Sequence, residues 1–205
     1  MNQIHWENVY TMKATDTVSW FQPHAEKSLR IIESLKVGKE ANIIDVGGGA
    51  SILVDDLLAQ GYQHLNVLDL SASALKVAQK RLGESAKKVN WLVEDVTQLK
   101  LEKHSIDVWH DRAVFHFLTD ELDRQRYVEA VLKAVKPSGF VIVATFAEDG
   151  PKECSGLPVQ GYSAEGIHDE FGSPFELLGH EKESHQTPSG AQQKFVYCYC
   201  RKKSN

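Results

Sequence analysis

From residue 41 onward, short apolar runs alternate with stretches of helical periodicity, the pattern of βαβ units stacked on a parallel sheet. Strands are expected near 41–46, 64–69, 89–94, 105–110 and 139–147. The first is β-branched through Ile43, Ile44 and Val46, which reads as a buried strand. Helices are expected near 50–60, 72–82 and 120–135, the first carrying its apolar face on Ile52, Leu53, Leu57 and Leu58. Gly61 and Gly83 stand just past the first two as stops. Thr119 is the expected cap of the third, with Asp120 and Glu121 favouring its dipole and Lys136-Pro137 ending it. Ahead of the sheet, residues 24–36 form an amphipathic helix through Leu29, Ile32 and Leu35. After Phe146 the pattern changes. Gly150, Pro151, Gly156, Pro158 and Gly161 mark a long loop over 148–162, and two strands follow near 175–182 and 193–201.

The first strand ends in Gly47-Gly48-Gly49, and a helical pattern begins at once. Glycine lets the backbone turn sharply and a ligand lie against it, while the first turn of a helix offers free N–H groups. Asp69 ends the next strand, about 20 residues beyond that turn, where a carboxylate suits the two hydroxyls of a ribose. The turn does not follow the dinucleotide pattern G-x-G-x-x-G, because Ile52 stands where the third glycine belongs. Asp45, inside the strand, is a buried carboxylate that needs donors, and an ammonium group of a ligand would supply them. A third strand ends in Glu94-Asp95-Val96. Acidic strand ends, a glycine loop and no lysine in that loop suit an adenosyl ligand carrying a positively charged amino acid better than a phosphate.

These residues resemble the class I S-adenosylmethionine-dependent methyltransferases over essentially the whole chain. Asp45-Val46-Gly47-Gly48-Gly49 is similar to the family's first motif, D-x-G-x-G. Leu132-Lys133-Ala134-Val135-Lys136-Pro137-Ser138-Gly139 resembles the turn before its fifth strand, with Ser138 as a departure. The start, His5-Trp6-Glu7-Asn8-Val9-Tyr10 and Ser19-Trp20-Phe21, resembles a subgroup containing elongation-factor lysine methyltransferases and enzymes of the thiopurine and tellurite-resistance type. The resemblance implies a Rossmann-like α/β fold: a seven-stranded, mostly parallel sheet closed by a C-terminal antiparallel hairpin, with helices on both faces. It implies one domain over 1–205, with a cofactor-covering segment at 1–36, a core at 41–147, and a substrate loop and closing hairpin at 148–205. The implied cofactor is S-adenosylmethionine. Gly47, Gly48 and Gly49 would lie against its methionine part with Asp45 behind them. Asp69 would hold the ribose with Leu70 beside the adenine, Asp95 would take the adenine amino group, and the Val96 amide a ring nitrogen.

The fourth strand ends in Trp109-His110-Asp111-Arg112 and continues through Val114-Phe115-His116-Phe117, a turn that by position faces the transferable methyl group. In-line transfer needs the nucleophile held at roughly 3–3.5 Å with water excluded. Asp111 could orient a substrate amine, or instead pair with Arg112 or cap the next turn. Arg112 could fork onto a substrate carboxylate. His116 and His110 are candidate bases, although a histidine between two phenylalanines also reads as a packed side chain. Trp20 and Phe21 suit a cover over the methionine moiety, where an aromatic face meets a cation; Trp6 and Tyr10 read as anchors.

A length of 205 residues suits one domain, and 42% hydrophobic with 25% charged residues suits a globular one. The net charge of −5 disfavours nucleic acid and acidic membranes as partners. No signal-peptide core or membrane span is evident, and three cysteines without a C-x-x-C pattern point to reduced thiols in a cytoplasmic protein. Cys154, Cys198 and Cys200 raise a thiophilic metalloid site, which strand alternation explains equally well for the last two. No residue spacing points to a bound metal. A small-molecule acceptor is favoured, because little beyond the core fold is left to grip a macromolecule. The alternatives are a protein-lysine methyltransferase and a non-catalytic module that binds the cofactor.

Overall fold

The computed structural model describes residues 2–204. Strands β1 (Asn42–Val46), β2 (His64–Asp69), β3 (Val89–Val93), β4 (Ile106–Arg112) and β5 (Val135–Phe146) are mutually parallel. A two-residue ribbon, β6 (Glu153–Cys154) with β7 (Leu157–Pro158), interrupts the long loop. Strands β8 (Phe175–Gln186) and β9 (Gln192–Lys202) then close the sheet, β9 running antiparallel to both β5 and β8. The order β3-β2-β1-β4-β5-β9-β8 places the topological switch between β1 and β4, where open α/β sheets bind ligands at the carboxyl ends.

The central strands are buried on both faces because successive side chains point to opposite sides of the sheet. Ile44 and Trp109 pack under α5 (Glu121–Ala134) and α6 (Ala164–Phe171) against Tyr127, Val131 and Phe171. Ile43 and Val108 face the other layer, where α2 (Glu26–Ser34), α3 (Leu53–Ala59) and α4 (Ala72–Leu82) contribute Ile32, Leu53, Leu57 and Leu75. The first helix, α1 (Gln3–Met12), lies across the start of α4.

Three expectations need correcting. Helix α6 was not expected: Gly166 lies within it and the Gly/Pro-rich loop precedes it, which obscures the buried spacing of Ala164, Ile167 and Phe171 behind the Ser163 cap. Asp120, not Thr119, caps α5, its carboxylate accepting the Leu122 amide at 2.8 Å. The polar run Glu181-Lys182-Glu183-Ser184 continues β8 past residue 182, because its acidic side chains find ion-pair partners, Glu181 with Lys27 of α2 and Glu183 with Arg112 at the end of β4.

Candidate active site

The glycine turn is tied to the neighbouring strand: the amides of Gly47 and Gly48 donate to Leu68 O at 2.7 and 3.2 Å. Gly47 has a φ of +68°, and a Cβ there would lie 2.0 Å from Val114 Cγ2. Only glycine fits that conformation and that contact. A Cβ on Gly48 would meet the Asp45 carboxylate at 2.5 Å, and one on Gly49 the Asp69 carboxylate at the same distance. The turn thus leaves room for two buried carboxylates.

Those carboxylates are only partly satisfied. Asp45 Oδ1 bonds His110 Nδ1 at 2.7 Å, while its buried Oδ2 has no partner among the described residues. Asp69 Oδ1 accepts the Ser71 amide at 2.8 Å. Burial is the main cause that pushes the Asp69 carboxyl up to about 7; the Ser71 amide opposes it, and the charges of Asp45 and Glu7 add to it. Acceptor-only groups in a cradle of this kind call for a ligand rich in N–H and O–H donors.

Two adjoining clefts open beside them. The first lies between Asp69, Leu70, Glu94 and Val96 and the side chains of Trp6, Trp20, Val114, Phe117 and Cys154. The second lies against Asp45, Gly48, Ser28 and His110. Tyr10, Trp20, Gly47 and Arg112 border both. Trp6 packs edge-on against Trp20 and Phe117 at centroid distances of 5.7 and 5.0 Å, and Trp20 Nε1 donates to Tyr10 Oη at 3.3 Å. Helix α1, which carries Trp6 and Tyr10, is latched by Glu7: its carboxylate accepts from Ser71 Oγ at 2.7 Å and from the Ser73 hydroxyl and amide. Trp6 and Tyr10, expected as anchors, therefore line the cleft itself, and Glu94 lines it too.

The expected catalytic residues separate. Asp111 is fully buried; its carboxylate accepts the Tyr127 hydroxyl at 2.7 Å and the Val114 and Phe115 amides, so it caps the turn after β4. Burial lifts its carboxyl to about 7 against those hydrogen bonds. His116 is also fully buried, Nδ1 accepting the Phe146 amide at 3.2 Å, and burial pushes the imidazole down to about 3. Neither residue borders either cleft, which is a correction to both as acceptor-touching groups. Arg112 does border them, but its donors are engaged by Tyr197 Oη (3.0 Å), Trp20 O (3.3 Å) and Glu183 Oε2 (3.2 Å), and its guanidinium stacks 4.3 Å from the Phe195 ring centroid. Glu183, rather than Asp111, is its counter-ion. Asp95 caps the turn at Val96–Gln98, accepting the Thr97 amide and hydroxyl, while Glu94 and Val96 reach the cleft wall.

The cysteines do not converge. Cys154 packs in the apolar layer beside the cleft, whereas Cys198 and Cys200 lie in the layer on the opposite face of the sheet. No group of three or more metal-ligating side chains occurs among the described residues.

Residues 44–143 match the model of a methyltransferase domain. Solved structures share the fold: N-methyltransferase NodS from Bradyrhizobium japonicum, crystallised with S-adenosyl-L-homocysteine, superposes with a TM-score of 0.75 at 15% identity over 98% of this chain and 99% of that one. Just under half of the chain thus matches a methyltransferase domain, and its fold is shared with S-adenosylmethionine-dependent methyltransferases. Its relatives differ in substrate. EEF1A lysine methyltransferase 2 of Danio rerio is 26% identical over 69% of this chain. A ubiquinone biosynthesis O-methyltransferase of Nitrosospira multiformis is 32% identical over 62% of it. The matched stretches span 66% and 55% of those relatives' own lengths. The site fits the family's cofactor: the bare Asp45 oxygen suits an ammonium, Asp69 suits vicinal hydroxyls, and the glycine turn leaves space between them. No helix among the described residues is long and apolar enough to cross a membrane.

Proposed function

We propose that this chain transfers a methyl group to a small, uncharged or cationic acceptor that enters the first cleft beneath Trp6 and Trp20. When bound, S-adenosylmethionine supplies an electrophilic methyl on a sulfonium. In this reading Asp69 accepts the ribose hydroxyls, Leu70 and Val96 flank the adenine with Glu94 and Asp95 at that end, and Gly47, Gly48 and Gly49 pass under the methionine part. Trp20 and Phe117 exclude water from the reacting centre.

The observation that carries the acceptor class is the lining itself. Among the described residues Arg112 is the sole lysine or arginine bordering the first cleft, and Glu183 already neutralises it, so an anionic acceptor would meet Asp69 and Glu94 without a counter-charge from them. On the aromatic wall, burial raises both the Tyr10 hydroxyl and the Cys154 thiol, so both stay protonated, and in this reading Asp69 is taken up by the ribose. An acceptor that attacks without prior proton removal, such as a neutral amine, suits such a site.

The first test is calorimetric titration with S-adenosylhomocysteine, NADH and ATP. Micromolar binding of the first alone is expected, and preference for NADH would overturn the reading. A panel of amines, thiols, phenols and carboxylates then follows turnover of S-adenosylmethionine. Carboxylates as the only acceptors would overturn the proposed class. A protein-lysine acceptor is the second reading, favoured by the aromatic wall, which suits the aliphatic stem of a lysine side chain, and by the lysine methyltransferase relatives. Mass spectrometry of candidate protein substrates after incubation with labelled cofactor separates the two.

A further inference from the structure

We propose that His110 is a positioning residue for the amino-acid end of the cofactor, acting through Asp45; this rests on the cofactor reading above. Pairing of β1 with β4 sets Asp45 beside His110 on adjacent strands. His110 Nδ1 meets Asp45 Oδ1 at 2.7 Å, and its Nε2 meets Ser28 Oγ, from α2, at 2.9 Å. All three residues are buried. The chain continues: Tyr197 lies beside Ser28, accepts from Arg112 Nε and donates to Glu183 at 3.3 Å. A line of polar groups thus runs from β1 through β4, α2 and β9 to β8.

The line ends at Asp45 in an unfinished contact. One carboxylate oxygen is pinned by the imidazole and the other is buried, bare and directed at the glycine turn, where a Cβ on Gly48 would touch it. The carboxylate borders the second cleft together with Ser28 and His110. A purely structural Asp–His pair has no need to leave that oxygen unpartnered, since an orphaned buried acceptor is destabilising. An ammonium donor entering the second cleft completes it. Hydrogen bonds to a charged group depend steeply on geometry, so the aim of Oδ2 matters. His110 sets that aim by holding Oδ1, and Ser28 holds the imidazole in turn. With a neutral ring, Nδ1–H donates to Asp45 and Nε2 accepts the Ser28 hydroxyl.

The test compares two nucleosides by calorimetry. S-adenosylhomocysteine carries the amino-acid end, and 5′-methylthioadenosine lacks it. In His110→Gln the amide reaches toward Ser28 and abandons Asp45; affinity for S-adenosylhomocysteine is expected to fall about tenfold or more, with methylthioadenosine unchanged. In His110→Asn the amide nitrogen replaces Nδ1, and the preference for S-adenosylhomocysteine is expected to persist. Methylthioadenosine binding reports that each variant is folded. If His110→Gln does not fold, Ser28→Ala removes only the far anchor and should weaken S-adenosylhomocysteine alone, by about threefold. Unchanged affinity for S-adenosylhomocysteine in His110→Gln and Ser28→Ala, or equal loss for both nucleosides, overturns the inference while leaving the cofactor reading intact. A parent protein that binds neither nucleoside sinks both.

Discussion

Asp69 joins the chemistry of the site to its pH dependence. A carboxylate accepts two hydroxyls better than a carboxylic acid does, so cofactor binding should favour the ionised form and displace a proton from a group that titrates near 7. Affinity for S-adenosylhomocysteine is expected to be flat above pH 8 and to fall toward about tenfold per pH unit well below 7. The stability of the free protein should move the other way. The folded-state carboxyl lies above its ordinary 3.8, so this group's contribution is fully present below about pH 4 and is lost as pH rises through 7. Asp111, raised in the same way, adds to that trend. Titrations at pH 6, 7 and 8 check the first expectation and melting curves the second. In Asp69→Asn, binding should weaken at least about tenfold and its pH slope should flatten. A slope that persists in the variant would move the titration to another group. Asp45, Asp69 and the glycine turn were legible in the sequence because backbone geometry and the end of a strand demand those residue types locally. The burial of Asp111 and His116 was not, because Tyr127 and the Phe146 amide come from elements distant in the chain.

Among the elements, the covering helix α1 is held more by its polar latch than by an apolar face. Of its residues only Val9 is buried, and Ile4 and Met12 are exposed. Glu7 therefore carries much of the attachment, through Ser71 and Ser73 at the start of α4, directly beyond Asp69 and Leu70. Glu7→Ala should speed dissociation of S-adenosylhomocysteine roughly three- to tenfold while leaving the melting temperature nearly unchanged, since three exposed or half-exposed bonds contribute little to global stability. Stopped-flow displacement measures the rate, and an unchanged rate would remove α1 from the cover. The turn before β5 offers an opposite case. Ser138 holds a φ of +62°, a conformation costing an ordinary residue roughly 1–2 kcal/mol but costing glycine little. Ser138→Gly should raise the melting temperature by about 1–4 °C after the entropy of the more flexible unfolded chain is subtracted. The parallel strands were readable to within a few residues because burial on both faces imposes a continuous apolar run. Helix α6 escaped notice because Gly166 and the preceding glycines and prolines mask an apolar spacing that only the packed layer reveals.

For the molecule as a whole, the closing hairpin and the cleft are one structure. Arg112 leaves the end of β4 and finds Glu183 on the edge strand, 71 residues later in sequence, with both side chains about nine-tenths buried. No local pattern could have announced that pairing, and reading Arg112 as free to fork onto a substrate carboxylate followed from its absence. The pairing has two consequences that one variant separates. Removing Glu183 leaves a buried cation without its counter-charge, which typically destabilises by about 3–5 kcal/mol and so lowers the melting temperature markedly. It also frees the guanidinium at the border of both clefts. Glu183→Gln keeps the shape of the side chain and a hydrogen-bond acceptor for Arg112 and Tyr197, so it should soften the loss of stability while still unmasking the charge. In that variant, simple carboxylates such as benzoate are expected to protect the protein against thermal unfolding and to compete with acceptor turnover, neither of which they should do in the parent. Protection of the parent by the same carboxylates would mean that Arg112 is available after all, and the acceptor would then belong among the anions.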